Sequence, residues 1–110
     1  MEIDKEVLKG CIDTILIALL NDTPMYGYEL IKKAREISDQ TFEIKEGTLY
    51  LSLKRLEKNS YLESYWDDNE SGGGRRKYYK ITPIGKEYLH KKKDEWSLLN
   101  NIMNKFLGGI

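Results

Sequence analysis

From Cys11 to Leu20 the chain reads CIDTILIALL, apolar at nearly every position and interrupted only by Asp13 and Thr14. The stretch around it, residues 5 to 20, predicts a helix that is apolar almost all round, and such a helix has to be covered on more than one side. Pro24 and Gly27 in NDTPMYG end it. A second helix, roughly 26 to 38, gathers Leu30, Ile31, Ala34 and Ile37 on one face. A third, about 47 to 59, places Leu49, Leu53 and Leu56 at i, i+4 and i+7. Three short helices in succession predict a helix-turn-helix core.

The period then changes. YLESYWD and RRKYYKIT are rich in aromatic and β-branched residues, and the segment between them is acidic and glycine-rich, which predicts a β-hairpin. In its second strand Arg75, Lys77, Tyr79 and Ile81 share one face and Arg76, Tyr78 and Lys80 the other, so one tyrosine enters the core while its neighbour stays outside. Thr82 and Pro83 supply an N-cap and a proline at the first helical position, starting a last helix of about 83 to 107 that Gly108 and Gly109 end. A helix-turn-helix followed by a hairpin is a winged helix. The expected fold is therefore mainly α with a β-hairpin (α+β): a winged helix-turn-helix over residues 1–82, with a C-terminal dimerisation helix over 83–110.

This arrangement gives the stretch DDNESGGGRRKYYKIT the place of a wing. Glycines let its turn adopt positive φ and approach a surface, while Arg75, Arg76 and Lys77 pair with phosphates. Asp67, Asp68 and Glu70 oppose that unless they face away or pair with the arginines. The bland alternative is a solvated hairpin whose glycines only make the turn. At about 100° per residue, the face of the third helix opposite its leucines collects Thr48, Leu51, Lys54, Arg55 and Lys58, with Tyr50 on the flank. Thr48 and Arg55 suit base edges, Leu51 a thymine methyl, and Lys54 and Tyr50 phosphates. Double-stranded DNA is the expected partner. The rival is a winged helix that uses its basic wing only to bind an acidic protein.

The last helix carries Leu89, Trp96, Leu99, Met103 and Phe106 in a heptad-like stripe, widened by Leu98 and Ile102 and interrupted by Lys92. That is more apolar surface than one small core needs, yet about two and a half heptads are too short for a free coiled coil. The helix is expected to pack on the first helix of a second copy, giving a homodimer whose interface includes the N-terminal helix. Trp96 at that interface serves either packing or ligand recognition.

Composition narrows the picture further. At 110 residues, with Lys plus Arg and Asp plus Glu at 18 each, the chain is one domain of zero net charge. Attraction to nucleic acid must then come from local segregation, which residues 75 to 93 supply with eight cations against Glu87. Cys11, the single cysteine, fits a buried reduced thiol and leaves no disulfide framework. The apolar run is too short for a membrane span and the MEIDKE start is acidic, so a cytoplasmic protein without membrane contact is expected. His90, the one histidine, lies in the charged run LHKKKDEW and reads as solvated. Without a metal-ligand cluster, phosphate-binding loop or nucleophile motif, no enzymatic role, metal or cofactor is expected.

YGYELIKKARE, EGTLYLSLKRLEKN, SYWDDNESGGGRRKYYKIT and PIGKEYL, in this order over nearly the whole chain, resemble the PadR family of bacterial transcriptional regulators in its short form. SYW, GGRRKYY and EWS are most similar to its multidrug-binding members. The resemblance implies a homodimeric repressor whose recognition helices read an inverted-repeat operator. It also implies a pore between subunits where Trp96 of each copy stacks on a small planar aromatic ligand, with Val7, Thr14 and Ile17 as wall positions. The family often has proline where this chain has Leu51, and glycine where it has Asn59 and Ser60; these departures bear on the operator rather than on the fold. Lys92 at the pore mouth would disfavour cationic ligands.

Overall fold

A computed structural model describes residues 3–68 and 74–110, among which the chain forms α1 (Lys5–Leu19), β1 (Met25–Tyr26), α2 (Gly27–Ile37), α3 (Glu46–Lys58), β2 (Leu62–Asp68), β3 (Arg75–Ile81) and α4 (Pro83–Leu107). This is the expected winged helix-turn-helix, an α+β fold. Residues 69–73, including Glu70, Gly72 and Gly73, lie outside the described residues. Gly74, the first described residue after them, has φ +80°, a left-handed conformation that favours glycine.

Helix α1 is the centre of the molecule, as its all-round apolarity requires. Leu16 and Ile17 are fully buried, and with Ile12 and Leu20 they meet Leu30 and Ala34 of α2, Leu49, Leu53 and Leu56 of α3, and Leu62 and Tyr79 of the sheet. Truncating Leu16 to alanine would cost about 2–5 kcal/mol. Ile37, expected on the buried face of α2, is 69% exposed, because at the last helical position it lies beyond the edge of this core. Cys11 is half-buried rather than buried; its thiol donates to the Val7 carbonyl at 3.2 Å, and burial pushes its pKa up.

The sheet has the order β1-β3-β2, all antiparallel. Sequence periodicity missed β1, since two residues are too few to show a period. Its pairing sets Tyr26 opposite Tyr78, and β2 sets Tyr65 opposite Tyr78 from the other side. The three rings form one row across the outer face, with centroids 5.4 Å and 5.6 Å apart. Tyr79 points the other way into the core, at 5% exposure, as the strand alternation requires.

Helix α3 ends in a Schellman turn: the Tyr61 amide donates to the Leu56 carbonyl and the Ser60 amide to the Glu57 carbonyl, both at 3.0 Å. Ser60 occupies the left-handed position of this turn, with φ 64°. The start of α4 is tied to the same place. Thr82 Oγ1 donates to the Ser60 carbonyl at 2.6 Å and accepts from the Gly85 amide at 2.9 Å, so the N-cap of α4 is bonded to the end of α3.

Candidate nucleic-acid interface

Because Leu49, Leu53 and Leu56 anchor α3 in the core, the opposite face is presented to solvent. Thr48, Leu51 and Lys54 lie along it, exposed, with Leu51 at 66% exposure. Tyr50 leans from the flank toward the start of α2, where its hydroxyl rests against Gly27; a Cβ there would stand 3.0 Å from the ring carbon Cζ and closer still to the hydroxyl. Arg55 is differently engaged. Its Nε and one terminal nitrogen donate to the two Asp13 carboxylate oxygens of α1 at 2.9 and 2.7 Å, and it also donates to the buried Ser52 hydroxyl at 3.1 Å. The carboxylate raises the pKa of the guanidinium further.

Tyr50 forms one wall of a cleft of about 500 Å³ between the start of α2, α3 and the wing. Arg75, Arg76, Lys77, Trp66 and Tyr79 line it from the sheet, so the structure brings together the three predicted wing cations and the predicted tyrosine. Trp66 is 55% exposed and directly opposite Lys77 in the register. The Arg75 guanidinium lies 5.2 Å and the Lys77 ammonium 6.0 Å from the Trp66 ring centroid, and Arg76 sits over Tyr26 at 4.7 Å. Cation–π contacts of this kind hold the side chains over flat surfaces. The acids that complicated the wing lie across the ladder, Asp67 opposite Arg76 and Asp68 opposite Arg75.

Helix α4 begins on the core and then leaves it. Tyr88 stacks on Tyr61 with centroids 4.1 Å apart, and Leu89 packs beside it. Among the described residues of α4 only Gly85 is buried, and Trp96, Leu98, Leu99, Ile102, Met103 and Phe106 are 40–79% exposed. Of the positions implied for a ligand wall, Val7 is 54% exposed, whereas Thr14 is half-buried with a buried hydroxyl oxygen that lacks a hydrogen-bond partner. Ile17 is fully buried in the domain core and has no surface to offer a ligand; its face of α1 points at the leucines of α2 and α3. Lys92 is paired with Glu95 at 2.9 Å and lies over Tyr88 at 5.4 Å, so its charge is largely balanced. Among the described residues no group of three or more His, Cys, Asp or Glu side chains gathers to hold a metal, and no helix is long and apolar enough to cross a membrane.

Residues 16–91 match the model of the PadR-like family of transcriptional regulators. The chain belongs to that family. A solved transcriptional regulator from Clostridium thermocellum is 43% identical, with a TM-score of 0.87 over 96% of this chain and 99% of its own. A PadR family transcription regulator from hypervirulent Clostridium difficile R20291 is 45% identical, with a TM-score of 0.78 over 87% of this chain and 97% of its own. An uncharacterised protein of Lysinibacillus sphaericus is 38% identical over 105 residues, 96% of this chain and 95% of its own length. This PadR-like protein is thus a winged-helix transcriptional regulator and not an enzyme.

Two features of the PadR-like site escaped sequence reasoning. Trp66 was visible only as an aromatic in a strand; counting the register inward from the hairpin turn would have set it opposite Lys77. The partner of Asp13 was signalled only by the cost of leaving a carboxylate on a buried helix, which demands a cation from elsewhere in the fold.

Proposed function

We propose that this PadR-like protein is a homodimeric repressor that reads an inverted-repeat operator and is released by a planar aromatic ligand held between the subunits. The observation that carries the DNA reading is the continuity of the outward face of α3 with the cationic cleft beneath the wing. Thr48 and Leu51 stand ready for base edges, and Lys54, Tyr50, Arg75, Arg76 and Lys77 for phosphates. Residues 1–82 serve as the DNA-binding unit and 83–110 as the dimerisation helix. The exposed apolar stripe of α4 supports a two-fold partner, since a face carrying Trp96, Leu99, Met103 and Phe106 is poorly suited to water.

In that dimer Trp96, Val7 and Thr14 border the ligand site. The Lys92–Glu95 pair offsets part of the objection to cationic ligands. The test is selection of DNA by the purified protein from a random duplex pool, followed by an electrophoretic shift with and without a planar dye. Enrichment of an inverted repeat, bound by two chains and released by dye, is expected. A protein that enriches no sequence and ignores duplex at low salt would overturn the reading in favour of a protein-binding wing.

A further inference from the structure

The Asp13–Arg55 pair is a contact of the recognition helix that its predicted role does not explain. Arg55 stands on α3 one turn beyond Leu51, among the residues expected to face DNA, yet its guanidinium is turned sideways and held by a fork of two hydrogen bonds to a carboxylate 42 residues away. Ser52 Oγ, itself buried, accepts a third bond from the same side chain. The Asp13 side chain is only 18% exposed, so this is no loose surface pair; bidentate geometry fixes direction as well as distance. Asp13 lies on α1, against which α4 packs, and Tyr88 of α4 stacks on Tyr61 just beyond the end of α3.

We propose that Arg55 is a positioning residue rather than a base reader, and that with Asp13 it sets the seating of the recognition helix on α1 at the point where α4 crosses. This rests on the DNA reading above and adds to it a route. A shift of α4 or α1, as a change between subunits would produce, moves Asp13 and through it the angle at which Thr48 and Leu51 meet the groove. With Nε and one terminal nitrogen committed to Asp13 and Ser52, Arg55 keeps only the two N–H groups of its other terminal nitrogen, so reading a guanine edge with a fork of two nitrogens requires opening the pair. Opening it would leave that carboxylate against the core of α1 without a cation.

The test is a double-mutant cycle with Asp13→Asn, Arg55→Gln and the two combined, plus Arg55→Lys, measured as Kd and salt slope on the selected operator and on random duplex. If the pair positions the helix, each single variant loses roughly tenfold on operator, about the effect of one mismatched base pair. Random duplex binding and the salt slope then stay unchanged, and the double variant is no worse than either single. Arg55→Lys, which keeps charge but not the fork, shows the same selective loss. If Arg55 instead touches DNA, Arg55→Gln lowers the salt slope by about one unit per subunit and Asp13→Asn tightens random binding by freeing the cation, which overturns the proposal. Variants that lose thermal stability but keep wild-type operator preference also overturn it, because the pair would then be a brace only. Failure of the DNA reading itself is distinct: it shows in the wild-type chain before any substitution.

Discussion

Gly27→Ala separates binding from stability at a single atom. The added Cβ meets the Tyr50 hydroxyl within contact distance and stands 3.0 Å from its Cζ, with a Leu49 methyl at 3.4 Å. The obstacle is thus the far end of a side chain that is 46% exposed and free to swing outward, not backbone. The domain should fold with undiminished stability, since alanine is no worse than glycine at the start of α2. What changes is the position of the hydroxyl. A hydrogen bond from Tyr50 to a phosphate involves a charged acceptor, at about 1.5 kcal/mol or more. Lost in both subunits of the proposed dimer, it amounts to about 3 kcal/mol, or roughly 150-fold in Kd. Fluorescence anisotropy on operator DNA reads the affinity and a melting curve the stability. Tyr50→Phe, which deletes the hydroxyl and leaves the ring in place, should show a comparable loss. If Tyr50→Phe binds like wild type, or if Gly27→Ala lowers the melting temperature and leaves Kd alone, the tyrosine does not touch DNA and the reasoning fails.

Replacing Arg75, Arg76 and Lys77 together by alanine should weaken binding to all duplexes alike and flatten log K against log salt by about 5 units for six cations per dimer, while an unchanged slope would take the wing off the DNA. Gly85→Ala should be the costly glycine substitution, because its Cβ would collide with the Tyr61 carbonyl and come within 2.8 Å of Ile81 Cγ1; a loss of about 1–3 kcal/mol in urea unfolding is expected. Ser60→Gly should stabilise by about 0.5–1 kcal/mol, the left-handed strain relieved less the entropy of the added glycine. Trp96→Ala should abolish binding of a planar dye and leave operator affinity within a few fold; a protein that becomes monomeric instead would make Trp96 interface packing.

The helices were legible because each carries a period long enough to count: the leucines of α3 and the Thr82-Pro83 start of α4 locate those elements to within a residue or two. The hairpin was legible from its change of period. What failed were features whose cause lies across the fold rather than along it. Two residues of β1 are a strand only because β3 lies beside them, and the tyrosine row across the sheet needs three separate segments in register. Ile37 keeps the helical spacing of a core residue and is still exposed, since spacing says which face a residue is on but not where the neighbouring helix ends. Ile17 was placed at the surface for a related reason: a helix apolar on all sides does not say which side faces its own core, and here the core took Ile17 and left Val7 outside.

Asp13 shows how far the same logic reaches. One carboxylate in an otherwise apolar run has to be neutralised, so the existence of a cationic partner follows from solvation alone. Its identity does not, because 18 lysines and arginines are candidates and the fork that selects arginine forms only once α1 and α3 are packed. The face of α3 opposite the leucines was therefore right as a list of exposed positions and incomplete as a list of functions. Thr48, Leu51 and Lys54 are exposed, whereas Arg55 at the edge of that face is bonded to Asp13 of α1. A helical wheel treats those positions as equivalent; the crossing helix distinguishes them. On the reading proposed above, the residues that meet DNA are those of the exposed face that no second helix engages.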